Sequence, residues 1–577
     1  MKRANYNYLL LVFLFALFSS SSAFGQDIEK LKDEKPFTIS GGVGAGATFF
    51  HSNQAFKHRD PFAWRFNAHL TPTVYGFSFP FSVVITQFSK SYQAPFTQIG
   101  ISPTYKWASL HLGYRHLSLS PLVFQGSSFL GVGIELKPKM FQFSAFYGRL
   151  NKAIAYDQTI DQSLMPQYSR IGWGGKIGVG TQKQNFSLQF FRGKDDKESI
   201  NLMYDPDDPL SRIAPQDNSV LGTSWRFLIL KRLSFTGDLA VGLISQDIKY
   251  DYISEESGLK IPKFVKAIAP PNYSSVLSYS GQTMLGLSLK KFYMSLGYKR
   301  VGPDFVSLGV PYAINDIQMF SGTMSTQLLK NKISLNLTGN HQENNLDKKR
   351  ATSIQTNMGN LNVNANINEN WNLNVNTTVV YVYQKDGLLA LTDSTRMNQL
   401  MTSLNISPTY SIGGEQYMHS AGLNLSFTDL NDNNTATQEY TDGSSYNGSM
   451  NYNITFNRHS AGALFILNYS KYIQTHHQYQ SVGLNVGGNI QLLKTKSLSL
   501  NGMIGYYFNK SSSFQTGNNT TFSLNCSYRL KKHAFGLFTN YTLTPPVNLN
   551  PLDDIYKVPY AVNSRIFSGG INYSYSF

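Results

Sequence analysis

Few residues of this chain stand where their type and spacing could do chemistry. His476 and His477 are adjacent and could ligate a metal, but neighbouring histidines in a polar stretch are more often solvated loop side chains. Asp205-Pro206-Asp207-Asp208 offers the oxygen ligands that Ca²⁺ prefers, yet lacks the spaced ligand pattern of a calcium loop, so a polar turn is the better reading. Gly41-Gly42-Val43-Gly44-Ala45-Gly46 resembles a phosphate cradle only by its letters. No helical pattern follows it, and glycine within a strand permits bending or close approach. A single cysteine excludes a disulfide scaffold and a cysteine zinc site. The 11 histidines are scattered, and no nucleophile–base constellation emerges. Neither an enzyme, nor a metal, nor a cofactor is expected.

The informative chemistry is of another kind: long neutral polar rows facing long apolar rows. Asn occupies every even position from Asn362 to Asn376, while the odd positions are Leu361, Val363, Ala365, Ile367, Glu369, Trp371, Leu373 and Val375. Sixteen extended residues would span more than about 50 Å, so the run must turn, and Asn368-Glu369-Asn370 is the place. A three-residue loop pairs Ile367 with Trp371 and keeps the parity. Such loops commonly put their last residue in the left-handed region, which Asn tolerates. The expected product is a hairpin with one asparagine face (Asn362, Asn364, Asn366, Asn372, Asn374 and Asn376) and one apolar face.

The same period of two recurs from about residue 37 to the end. Ile333, Leu335 and Leu337 alternate with Ser334, Asn336 and Thr338; Phe522, Leu524, Cys526, Tyr528 and Leu530 alternate with Ser523, Asn525, Ser527 and Arg529. This is strand periodicity. About 26 strands can be counted (24–28), most of them 10–14 residues long. Their connections alternate in length. Short ones include 136–140, 231–232, 290–291, 330–332, 368–370, 494–496 and 531–533. Long ones lie near 151–167, 194–216, 248–275, 300–315, 384–395, 429–442 and 544–563. Short turns at one end and long loops at the other describe an up-and-down transmembrane barrel, whereas a sandwich with crossing connections has no reason to keep that parity.

Composition agrees. The chain has 577 residues, only 15% charged, with 35 Tyr and 39 Phe. Ordinary domains are nearer 25% charged, and disordered chains lack aromatics. The mean hydropathy is slightly negative, which excludes a helical membrane protein but suits strands that show lipid only every second residue. Residues 1–25 read as an export signal: Lys2 and Arg3, the apolar run Leu9 to Phe18, then Ala23-Phe24-Gly25 as a small-x-small cleavage site leaving Gln26 as the mature start. Removing Lys2 and Arg3 leaves +14 of the formal +16. An exported chain meets phosphate mainly on lipids, so no nucleic-acid partner is expected.

The last residues, Ile571-Asn572-Tyr573-Ser574-Tyr575-Ser576-Phe577, resemble the C-terminal strand of Gram-negative outer-membrane β-barrels, with Phe577 as the terminal aromatic and Tyr575, Tyr573 and Ile571 at the alternate places. That resemblance implies recognition by the barrel-assembly machinery, periplasmic termini and short turns, and long loops outside. It covers architecture and points to no particular transporter family. The short turns carry many Lys and Arg, positioned to meet anionic headgroups of outer-membrane lipids, at about 1 kcal/mol each near such a surface.

The expected organisation is a signal peptide (1–25), a short periplasmic tail (26–36) and one all-β barrel (37–577). At 26 strands and a tilt of about 40°, the backbone diameter is roughly 50 Å. A hole that wide needs filling, and loops 194–216, 248–275 and 544–563, stiffened by Pro262, Pro270, Pro271, Pro545, Pro546, Pro551 and Pro559, are the expected fillers. Two functional classes follow. One is a transport or translocation pore, its lumen filled by loops or a partner. The other is a platform holding a surface protein or lipoprotein through the long loops. The excess of strands over what an anchor needs favours transport.

Overall fold

A strand that alternates apolar and polar residues needs lipid or core on one side and water on the other, and a sheet of such strands is stable in a bilayer only when it closes on itself. The computed structural model describes residues 35–53, 59–87, 98–155, 166–201, 213–253, 270–311, 314–512, 517–544 and 564–577. The export signal with Ala23, Gly25 and Gln26, the Asp205–Asp208 cluster and most of loops 248–275 and 544–563 lie outside these residues. The chain forms a single antiparallel sheet of sequential neighbours. It closes where the first strand, Thr38–Ser52, pairs with the last, Ser564–Ser576.

Two wall strands are broken at prolines. Phe77–Ser78 and Phe81–Thr86 flank Phe79-Pro80, and Gln98–Ile101 and Thr104–Tyr105 flank Ser102-Pro103. Proline has no N–H to give the ladder. Counting each broken pair once, the 28 extended segments make 26 wall strands, the number expected from the sequence. Most wall strands run 10–14 residues, as expected; Thr38–Ser52, Thr352–Asn366, Trp371–Asp386, Asn398–Gly413, Tyr417–Asp432 and His477–Leu492 run 15 or 16.

The outward face is an apolar belt. Leu188, Leu221, Leu239, Leu296, Leu467 and Ile504 all stand at least half exposed on it. Rings border the belt at both ends. Near the short turns Trp371 packs on Tyr410 (4.8 Å between centroids) and Phe535 on Tyr573 (5.1 Å). Near the long loops Trp173 packs on Phe190 (4.9 Å), Tyr298 on Phe320 (4.9 Å) and Phe427 on Tyr446 (5.0 Å). Tyr417 and Phe427 sit on one strand, ten positions apart. At about 3.3 Å per residue and a tilt near 40°, that separation is roughly 25 Å of bilayer, the height of the apolar band in such barrels.

The short turns are built tightly. Lys106, Lys139, Lys231, Lys330, Lys496 and Lys531 all adopt positive φ, as two-residue hairpin turns demand. The asparagine hairpin closes otherwise than expected: none of Asn368, Glu369 and Asn370 is left-handed. Instead the Asn368 side-chain oxygen accepts the N–H groups of Asn370 and Trp371, each at 2.9 Å, and Ile367 N–H reaches the Trp371 carbonyl at 3.0 Å.

Candidate functional site: the barrel interior

Two loops fold into the barrel. Leu117–Ser127, between the strands Ala108–His116 and Ser128–Leu136, carries Leu117, Leu119, Leu122, Val123 and Phe124 into a buried cluster. Gly302–Asp316, between Phe292–Val301 and Ile317–Leu328, contributes Phe305, with Leu308 packed against it. The wall supplies Phe129, Phe146, Phe191, Val220, Ala240, Val301 and Ile317. Phe124 lies 4.3 Å from Phe146 and 5.3 Å from Phe191, centroid to centroid. Each such fully buried side chain contributes about 1.5–3 kcal/mol to docking. Glycine makes the close approach feasible: a Cβ at Gly222 would stand 2.4 Å from Val123 Cγ2, and one at Gly309 2.5 Å from Phe124 Cδ2.

Buried polar groups lock the loops to each other and to the wall. Asn218, fully buried, donates through Nδ2 to the Val306 carbonyl (2.9 Å) and accepts the Leu308 N–H (3.0 Å). Ser307 Oγ donates to the Val123 carbonyl at 2.7 Å, and Gln125 N–H to the Gly309 carbonyl at 3.0 Å. The two loops form one plug.

Toward the short turns, below the plug, the inner wall carries a polar collar. Asp238 accepts from Ser224 Oγ (2.6 Å) and Gln282 Nε2 (3.0 Å), and Glu135 accepts from Lys137 (3.2 Å). Toward the long loops, Arg170 grips Asp195 with two hydrogen bonds (2.7 and 3.0 Å), and Asp195 also accepts the Gln216 N–H at 2.9 Å. Arg192 grips Asp217 in the same way (3.0 and 2.7 Å).

Beyond Ile317 the interior changes character. Register carries the inner face across: Val301 pairs with Ile317, Ile317 with Asn344, and two-residue steps lead to Asn336, which pairs with Asn362. Asn362 pairs with Asn376, Asn364 with Asn374 and Asn366 with Asn372, where Asn372 Nδ2 donates to Asn366 Oδ1 at 2.7 Å. Farther round, Asn405 pairs with Ser426, Asn489 with Asn501, and Asn501 with Asn525. Asn336, Asn451, Asn501 and Asn525 are exposed. Among the described residues of this half, Asp386 and Asp432 at the long-loop end and Arg529 at the short-turn end are the charges on that face.

The other residues singled out by sequence scatter. His476 lies in the turn before the strand that His477 opens, and its ring nitrogen meets Glu439 at 2.9 Å; among the described residues no cluster of three or more metal-type ligands forms. Gly41–Gly46 lies in the first strand, and Cys526 is half-buried opposite Leu500 and Leu537. Ile571, Tyr573 and Tyr575 pair with Ala47, Ala45 and Val43 at the seam, and Phe577 N–H reaches the Gly41 carbonyl at 3.0 Å. The plug was missed. The apolar residues of the strand before the first loop, Leu110, Leu112 and Tyr114, stand at even positions, whereas Leu117 and Leu119 stand at odd ones, so the apolar face flips there. That flip was a usable signal, with Pro121 and the Gly126-Ser127-Ser128 break, and with Phe305, Val306 and Leu308 inside a connection that ought to be polar.

No family model matches the chain, and no curated protein matches it in sequence. Among solved structures, the translocation pore of the P pilus usher (PapC) aligns over 93% of this chain and 99% of its own at 9% identity and a TM-score of 0.37. The siderophore receptor PirA from Pseudomonas aeruginosa aligns over 94% and 81% at 9% identity and 0.39. OccAB2 from Acinetobacter baumannii aligns over 63% and 92% at 10% identity and 0.29. None of these three scores reaches 0.5.

Proposed function

We propose that this protein is an outer-membrane channel in which one side of the lumen is permanently plugged and the other is a neutral passage for uncharged polar solutes. The observation that carries the reading is the division of the interior. Strands up to Val301, with Ile317, hold the packed plug, while the inner face beyond presents exposed Asn and Ser, including Asn336, Asn451, Asn501 and Ser527. A passage needs a water-lined wall, and a scaffold has no use for one. Neutral amides and hydroxyls hydrogen-bond passing solutes without selecting their charge. Asn362, Asn364, Asn366, Asn372, Asn374 and Asn376 form part of that lining.

In this reading the chain is exported by its first 25 residues, starts at Gln26 and is assembled through Ile571, Tyr573, Tyr575 and Phe577. Its termini and lysine-rich turns face the periplasm beside phospholipid. Proteoliposomes carrying the purified protein should swell in isosmotic neutral disaccharide faster than protein-free liposomes. Equal rates would remove the passage.

A further inference from the structure

Above the plug, at the long-loop end, lies a cavity of about 880 Å³ floored by Ile244 and Val306. We infer that it is a binding site for a neutral oligosaccharide, captured at the outer mouth. The site rests on the channel reading only for what happens to the ligand afterwards; binding requires nothing of the passage.

The cavity's chemistry selects the ligand class. Four primary amides line it, those of Gln167, Gln216, Gln246 and Asn315, and no side-chain hydrogen bond engages them among the described residues. Each offers two donors and an acceptor, a match for the paired hydroxyls of a sugar ring. Two aromatic rings stand free at the same cavity, Tyr250 at 58% exposure and Tyr273 at 66%. Exposed rings lack any packing role and offer flat apolar faces to the C–H face of a pyranose. Tyr168 also lines the site; it is 3% exposed, and its hydroxyl finds no partner among the described residues. A buried hydroxyl left unpaired costs about 1–3 kcal/mol, which a ligand hydroxyl would relieve.

Charge argues against an anion. Arg170, the cavity's cation, is paired with Asp195 through Nε and Nη2, so its charge is already neutralised. Asp247 Oδ1 accepts only the Lys249 backbone N–H, at 2.8 Å, so Asp247 and the exposed Asp304 are two carboxylates with no cation partner among the described residues. Carboxylates accept sugar hydroxyls as readily as they accept cations. Set among four amides and two rings they suit a polyol, and the spermidine arm of the test below separates that reading from a polycation.

The test is titration calorimetry of the full-length barrel in detergent with maltohexaose, cellohexaose, xylohexaose and chitohexaose, beside spermidine and a neutral hexapeptide. Saturable binding of at least one oligosaccharide is expected, weakened about fivefold or more by Tyr250→Ala or Tyr273→Ala and unchanged by Tyr279→Ala on the lipid face. Both cavity tyrosines are exposed, and heat-dependent gel mobility verifies that each variant still forms the barrel. No oligosaccharide binding by the folded wild type overturns the inference. So does binding of spermidine or the peptide alone, or sugar binding indifferent to both tyrosines. Sugar binding by a protein that forms no passage in liposomes upholds this site and removes the channel.

Discussion

Replacing Asn218 with leucine should free the plug while leaving the wall intact. Asn218 lies on the strand Asp217–Ile229, whose backbone ladder to both neighbours does not depend on its side chain. That side chain is fully buried, donates to the carbonyls of Val306 and Leu243 (2.9 and 3.2 Å) and accepts the Leu308 N–H (3.0 Å). Leucine has a similar volume and makes none of these bonds. The Val306 carbonyl and Leu308 N–H are then left buried and unpaired, at about 1–3 kcal/mol each, so that docking of the loop weakens by roughly 2–4 kcal/mol after partial relaxation. The undocked population should rise roughly 30- to 1,000-fold. Phe305 reports on it, because it is 2% exposed in the docked loop and becomes a chymotrypsin site when the loop leaves. When opening is fast relative to cleavage, the cleavage rate follows that population. Cleavage after Phe305 should therefore accelerate by at least an order of magnitude, with the heat-dependent gel shift of the barrel unchanged. Cleavage within about twofold of wild type would show that Asn218 does not hold the plug, and the energetic argument would fail.

Three further outcomes test the assignment of faces and joints. Leu296→Arg, in the middle of the outward face, should destabilise the barrel by about 2–4 kcal/mol, whereas Asn364→Arg on the inner face should fold normally and shift ion selectivity toward anions; unfolding in urea and reversal potentials separate the two. Arg170→Ala strands the 4%-exposed Asp195 without its partner, so about 3–5 kcal/mol of local stability should be lost, read as faster hydrogen exchange in residues 195–201. Phe577→Ala removes the ring that stacks edge-on with Tyr575 at 5.0 Å and should slow appearance of the heat-modifiable form in pulse-chase assembly.

The wall was legible in the sequence because lipid on one side and water on the other impose a period of two that no loop disturbs. Asn362 to Asn376 revealed register as well as strand, since an odd loop at Asn368–Asn370 conserves parity whatever its dihedrals. The detail of that turn was not legible. Positive φ and an Asn side chain capping its own turn solve the same problem, and the structure uses the second. The plug was the larger omission. Leu117 and Leu119 reverse the parity of Leu110, Leu112 and Tyr114, but the flip does not say what covers them, and the cluster they join includes Phe146, Phe191 and Val220, residues farther along the chain. The cavity at the mouth was equally hidden, because Gln167, Gln216, Asn315 and the trio Gln246, Tyr250 and Tyr273 come from four connections that the closed sheet alone brings together.

The open side of the lumen should conduct ions past the fixed plug. Single-channel recording of the purified protein in planar bilayers tests it most directly. A steady open conductance with weak ion selectivity, set by the uncharged inner face, is the predicted result. A membrane that stays electrically silent with correctly folded barrel inserted would contradict it.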